Sequence, residues 1–240
     1  MISIKTNNLT KKYKEKTVVN KLNLEVNKGE LFSLLGTNGA GKTTTIKMLT
    51  TLILPTDGEI TIQDKDIKKQ RMQIKEIINI SPQETAIAPN LTVQENLEFM
   101  AGVYQIKDKK EKIRELIKLF KLEEVLKQKA KTLSGGWQRK LSIAISLINN
   151  PEILFLDEPT LGLDVIARRE LWNVIEELKG KITIILTTHY MEEAESLSDR
   201  VGVMVKGKLI TIGTPKELID KVDAKNFEEA FVKIVTGGEE

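Results

Sequence analysis

Nine consecutive residues, Gly36-Thr37-Asn38-Gly39-Ala40-Gly41-Lys42-Thr43-Thr44, have the spacing G-x-x-x-x-G-K-[ST], in which a loop closes around nucleotide phosphates. Gly36, Gly39 and Gly41 have no Cβ and tolerate positive backbone dihedrals, so successive N–H groups can converge on one anion. Lys42 brings charge to the β and γ phosphates, and the Thr43 hydroxyl is a hard oxygen suited to Mg²⁺. The bland alternative is a glycine-rich turn with a capping threonine. Two adjacent acids, Asp157 and Glu158, lie far away in the chain. Asp157 would serve Mg²⁺ directly or through water, and Glu158 would orient or deprotonate a water attacking the γ phosphate, unless the pair only caps a helix. Gln83 is either a metal or water contact or a plain loop glutamine. His189, the only histidine, is either a γ-phosphate contact or a structural imidazole.

These side chains have to be delivered by strands that end at one edge, because ligands of open α/β sheets bind beyond the carboxyl ends of parallel strands. Leu31 to Leu35 is an apolar run that enters the glycine loop, and Thr44 to Leu49 can wind into the helix after it. Ile77 to Ile80, Ile153 to Leu156 and Ile182 to Thr187 read as further strands, ending respectively at Gln83, at Asp157 and Glu158, and at His189.

The remaining sequence supplies the surroundings. Residues 2–35 read as a small β region with apolar runs at Ile2–Ile4 and Leu22–Val26, and Tyr13 lies in the polar stretch between them. By position alone Tyr13 is a surface residue or an aromatic that stacks on a base. Pro55 to Gly58 is a turn before a strand at Glu59 to Ile62. Residues 84–131 turn helical, with a capping box at Thr92 and Glu95 and apolar stripes through Leu97 to Tyr104 and Ile113 to Phe120. With the next helix, the helical subdomain covers about residues 84–150. That next helix begins at Ser134-Gly135-Gly136, whose free amides offer a second phosphate contact or whose serine is a simple cap. Val201 to Ile212 reads as a hairpin. Residues 221–240 form an amphipathic helix through Phe227, Ala230, Phe231 and Ile234, followed by a loose tail.

Composition narrows the function. Lys and Arg number 37 against 34 Asp and Glu, a net charge of +3, so the strong basic excess of a nucleic-acid surface is missing and no nucleic-acid partner is expected. No cysteine is present, which removes disulfides and thiolate chemistry. The N-terminal residues lack the apolar core of a secretory signal, and no run approaches the length of a membrane span.

In this order the motifs resemble the nucleotide-binding subunit of ATP-binding cassette (ABC) transporters over essentially the whole chain. Gly36 to Thr44 looks like Walker A, Gln83 like the Q-loop glutamine and Leu133 to Gln138 like the signature motif. Ile153 to Glu158 looks like Walker B, Gly162-Leu163-Asp164 like the D-loop and His189 like the switch histidine. Tyr13 matches the family's adenine-stacking aromatic. Trp137 departs from the pattern, since glutamine usually follows Ser-Gly-Gly.

The resemblance implies an α/β fold of the P-loop NTPase type. It would have a mixed central sheet, an antiparallel β subdomain and an inserted α-helical subdomain, all within an ATPase domain of residues 1–220. It further implies ATP and Mg²⁺ as cofactors, with Thr43, Gln83 and Asp157 facing the metal and Lys42, Glu158 and His189 acting in hydrolysis. Two such subunits, in a homodimer or heterodimer, would each place Ser134, Gly135, Gly136 and Asp164 across the ATP held by the other. An integral membrane permease would complete the assembly at the cytoplasmic face of the membrane. The Thr188 to Glu195 stretch and the Phe231-containing tail are similar to those of multidrug-resistance and sodium-efflux exporters of the ABC-2 type. A soluble ABC ATPase with a mechanical or regulatory role is the competing expectation.

Overall fold

The computed structural model describes residues 1–237, and Gly238 to Glu240, assigned above to a loose tail, lie outside that range. Lysine and asparagine alternate with aliphatic and threonine side chains in β1 (Ile2–Tyr13) and β2 (Lys16–Asn27), which therefore bury one face. Each strand has 12 residues, so the expected short runs extend into one antiparallel hairpin, and Tyr13 pairs with Lys16 at its tip instead of lying in a loop. Exposed positions alternate with buried ones from Leu22 to Asn27 of β2, and exposed residues and register shifts interrupt the buried ones in β1, which is why the strands are longer than their apolar segments. β3 (Leu31–Leu35) is buried at every position and feeds the glycine loop and α1 (Lys42–Leu49). β4 (Asp57–Ile62) and β5 (Lys65–Asp66) join the hairpin in an antiparallel sheet of order β2-β1-β4-β5.

α2 (Arg71–Ile77), where the periodicity predicts no element, runs directly into β6 (Ile78–Ser81). The chain then leaves the sheet through α3 (Val93–Val103), α4 (Lys109–Phe120), two 3₁₀ turns and α5 (Gly135–Ser146), and returns as β7 (Ile153–Asp157). β6 and β7 are hydrogen-bonded parallel neighbours, so this insertion starts and ends at adjacent places. α3 opens with the expected capping box: the Thr92 hydroxyl accepts from Glu95 N, and the Glu95 carboxylate accepts from Thr92 N. Those hydrogen bonds from Thr92 hold the exposed Glu95 carboxyl below its usual pKa.

α6 (Val165–Leu178), β8 (Thr183–Thr188), α7 (Met191–Leu197), β9 (Arg200–Val205) and β10 (Lys208–Gly213) follow. The central sheet has the order β10-β9-β3-β8-β7-β6 and is parallel except for β10. It is thus mixed, as expected. α8 (Pro215–Lys221), capped by Thr214 with Glu217, and α9 (Phe227–Thr236) end the described chain.

Successive strand residues point to opposite faces, and the core divides accordingly. Phe32, Leu34, Phe155 and Ile185 pack with α1 and the antiparallel sheet, whereas Leu31, Leu154, Leu156, Ile184 and Leu186 pack with α5, α6 and the insertion. Each fully buried leucine or phenylalanine contributes about 1.5–3 kcal/mol over exposure. A third cluster joins Leu35, Val201 and Val203 to Leu218 of α8 and Phe227 of α9, which ties the C-terminal helices to the sheet. The sheet therefore fixes where β3, β7 and β8 end.

Candidate active site

The loop between β3 and α1 uses its glycines in two different ways. Gly39 and Gly41 have φ of 79° and 104°, the left-handed region that glycine enters without penalty. Gly36 does not, which corrects the expectation of a positive dihedral there. A Cβ at Gly36 would stand 2.3 Å from the Met204 carbonyl oxygen, so glycine is needed because β9 passes so close. Gly41 precedes α1, whose first amides and positive helix end face the same space. A cavity of about 390 Å³ lies there, lined by Asn38 to Thr44 together with Gln83, Glu158 and His189. Val18 and Leu161 add apolar walls.

Lys42 is 4% exposed, and its Nζ donates to the Gly36 and Thr37 carbonyls at 2.8 and 3.3 Å and reaches Glu158 Oε1 at 3.4 Å. Neither Gly36, which is buried, nor Thr37, which is exposed, lines the cavity, and their carbonyls orient the lysine. The Glu158 carboxylate also meets His189 Nδ1 at 3.0 Å through Oε2, so one buried acid links the loop lysine to the histidine. Glu158 has φ of 49°, a left-handed conformation uncommon outside glycine, in the turn that follows β7. Asp157 Oδ1 accepts from the Thr43 hydroxyl at 3.1 Å and from the Thr187 hydroxyl at 2.5 Å. Thr187 Oγ1 in turn accepts from Glu158 N at 3.1 Å, so one fully buried threonine on β8 orients both acids.

Among the described residues no group of three or more His, Cys, Asp or Glu is arranged to hold a metal. The Thr43 hydroxyl, the Asp157 oxygen beside it and the Gln83 amide in the same cavity form a sparse set of hard oxygen donors. Such a set fits Mg²⁺, which keeps most of its waters and leans on substrate phosphates.

The other predicted site residues fall elsewhere. Ser134, Gly136 and Asp164 line a second cavity of about 340 Å³, which shares no residue with the first. Ser134 stands at the N-terminus of α5 without capping it, so its hydroxyl is available, while Asp164 caps α6 by accepting from Ala167 N at 2.9 Å. Trp137 is half-buried against the core with Lys140 Nζ 4.5 Å from its ring centroid, and Lys140 pairs with Glu170 at 2.7 Å. Its ring thus packs against the core beneath the Lys140 ammonium, and it is Lys140 that reaches α6. Tyr13 is 49% exposed at the hairpin tip, beside Lys11, and does not line the first cavity.

Thr187 is the functional residue that sequence reasoning missed. It is one threonine in a buried strand, and only its place next to the β7 end gives it a role.

A profile described as ABC transporter matches residues 19–161. The chain is 38% identical over 240 residues to the probable multidrug ABC transporter ATP-binding protein YbhF of Escherichia coli, covering 97% of this chain and 41% of that protein. It therefore spans about two fifths of that relative's length. It is 39% identical to the linearmycin resistance ATP-binding protein LnrL of Bacillus subtilis, covering 91% of this chain and 71% of LnrL. Among solved structures, the ATP-binding cassette MJ0796, captured as a dimer in a post-hydrolysis state with ADP and Pi, superposes with a TM-score of 0.80. The identity is 27%, over 88% of this chain and 98% of that one.

Proposed function

Because the chain belongs to the ABC transporter family and carries its ATPase domain, we propose that it binds and hydrolyses ATP as half of a dimer and thereby powers export through a separate membrane subunit. The observation that carries this is Glu158, whose carboxylate meets Lys42 on one side and His189 on the other inside the cavity formed by Gly39 to Thr44.

In this reading the loop amides and Lys42 hold the phosphates, and the start of α1 adds its dipole. Thr43, Asp157 and Gln83 would hold Mg²⁺, which offsets phosphate charge when bound. Glu158 accepts or directs the proton of the attacking water, and His189, steadied by its 3.0 Å contact with Glu158, faces the γ phosphate. Tyr13 reaches the adenine from the hairpin tip. Ser134 and Gly136, on a cavity apart from the first, and Gly135 between them in the chain contact the nucleotide of the partner subunit, with Asp164 on the same cavity. The dimeric MJ0796 cassette supports this arrangement, since a second subunit would bring the two kinds of cavity together. Nucleotide then acts as a linkage ligand that favours the closed dimer.

The likeness to YbhF, a probable multidrug ABC transporter ATP-binding protein, and to the linearmycin resistance protein LnrL supports the drug-export branch. Among the described residues no helix is long and apolar enough to cross a membrane. In the proposed assembly an integral membrane permease carries the transport path and this chain works at its cytoplasmic face. Glu158→Gln tests the chemistry: it should keep ATP binding, lower turnover by about 10²–10⁴-fold and accumulate an ATP-bound dimer. Normal steady-state hydrolysis would remove Glu158 from its role. Recovery of a hydrophobic subunit on purification from detergent-solubilised membranes tests the partner, and recovery of soluble partners alone would move the function to a soluble ATPase.

A further inference from the structure

Arg139, in the second turn of α5, is 5% exposed and forms no ion pair among the described residues. Its guanidinium donates instead to two successive backbone carbonyls, from Nη1 to Pro82 O at 2.7 Å and from Nη2 to Gln83 O at 2.5 Å. Burying a cation is costly unless its donors are satisfied, and a planar fork fixes two acceptors at once in a way that an ammonium does not. The segment it grips needs an external hold: β6 ends at Ser81, and Pro82 has no N–H with which to extend the ladder. A second clamp sits alongside, where the Ser81 and Ser142 hydroxyls meet at 3.0 Å. Burial pushes the guanidinium pKa down, and the charge of Asp157 opposes that shift, so Arg139 also lies within the field of the acid beside Thr43.

We propose that Arg139 is a positioning residue. By gripping the Gln83 backbone from the helix that begins with Ser134 to Gly136, it holds the Gln83 amide where Mg²⁺-nucleotide binds and ties that contact to the position of α5. This rests on the reading of Thr43, Gln83 and Asp157 as the groups that face Mg²⁺.

The test is titration of the full chain with a fluorescent ATP analogue, in Mg²⁺ and in EDTA, for wild type, Arg139→Lys and Arg139→Gln. Lysine keeps the charge and loses the fork, while glutamine keeps a single donating nitrogen without charge. Outer partners of metal-facing groups typically account for about 10–100-fold, so each variant should lose about that much affinity in Mg²⁺. In EDTA, where the loop amides dominate, affinity should stay within about twofold, the limit expected for groups not in contact. Full retention in Mg²⁺, equal losses in both buffers, or failure of both variants to fold would each overturn the proposal. A wild type indifferent to Mg²⁺ would instead overturn the metal-facing reading on which it rests.

Discussion

Replacing Thr187 by valine removes one hydroxyl from the centre of the site while keeping the shape of the side chain. Thr187 is fully buried, donates to Asp157 Oδ1 at 2.5 Å and accepts from Glu158 N at 3.1 Å. Glu158 N keeps its other acceptor, the Thr187 carbonyl at 3.0 Å, so the variant strands mainly the carboxylate. A hydrogen bond to a charged group is worth about 1.5–3 kcal/mol. At about 2–4 °C per kcal/mol for a chain of this size, the melting temperature should fall by about 3–12 °C. The assay is thermal denaturation of four proteins: wild type, Thr187→Val, Asp157→Asn and the double variant. If the two side chains interact as the distance implies, the threonine change should cost about 1 kcal/mol or more less once Asp157 is already neutral. In the same proteins ATP turnover should drop about 10–100-fold for Thr187→Val, since Asp157 and Glu158 lose a shared orienting group. An unchanged melting temperature, or an identical cost in the Asp157→Asn background, would refute the account of Thr187 as the brace of both acids.

Gly36→Ala should destabilise the protein by about 1–3 kcal/mol, because its Cβ would meet the Met204 carbonyl at 2.3 Å and backbone cannot yield cheaply. Chemical denaturation measures this, and a neutral effect would show that β9 can move away. Burial raises the pKa of Glu193, whose Oε1 accepts from Trp172 Nε1 at 3.1 Å and whose charged neighbour is Arg168. A raised acid binds its proton more tightly when folded, so this stabilisation is complete below the ordinary glutamate range and fades as pH rises through the folded value. Glu193→Gln should therefore melt progressively better relative to wild type from acid to neutral pH, and parallel curves would contradict the shift. Phe227→Ala should cost about 3–5 kcal/mol, because the ring is 1% exposed against Val201 and Leu218, and loss of α9 helicity with the sheet intact should precede global unfolding in hydrogen exchange.

Local chemistry was legible wherever it obeys a short period. Gly36 to Thr44 announced a phosphate loop, the Thr92 and Glu95 pair announced its helix, and the largely apolar runs within β3, β7 and β8 announced buried parallel strands. Residues whose role comes from a neighbouring element carried no such mark. Thr187 contacts Asp157 across 30 residues, Arg139 contacts Pro82 across 57, and neither sits in a recognisable spacing. Trp137 broke the expected motif in sequence, yet in the fold its ring has Lys140 above it and the core beside it. Gly36 illustrates the limit within a motif that was found, since flexibility was expected and a close approach by β9 was the cause.

The sequence by itself determined the nucleotide chemistry, the family and the buried strands β3, β7 and β8, because spacing along a few residues dictates hydrogen-bonding capacity and burial period. Only the tertiary structure decided that Glu158 joins Lys42 to His189 and that one threonine braces both acids. It also decided that Ser134 and Gly136 open onto a cavity apart from the phosphate loop. Those relations depend on sheet register: β7 beside β8 pairs Asp157 with Thr187, and a register shifted by one residue would turn the Thr187 hydroxyl to the opposite face.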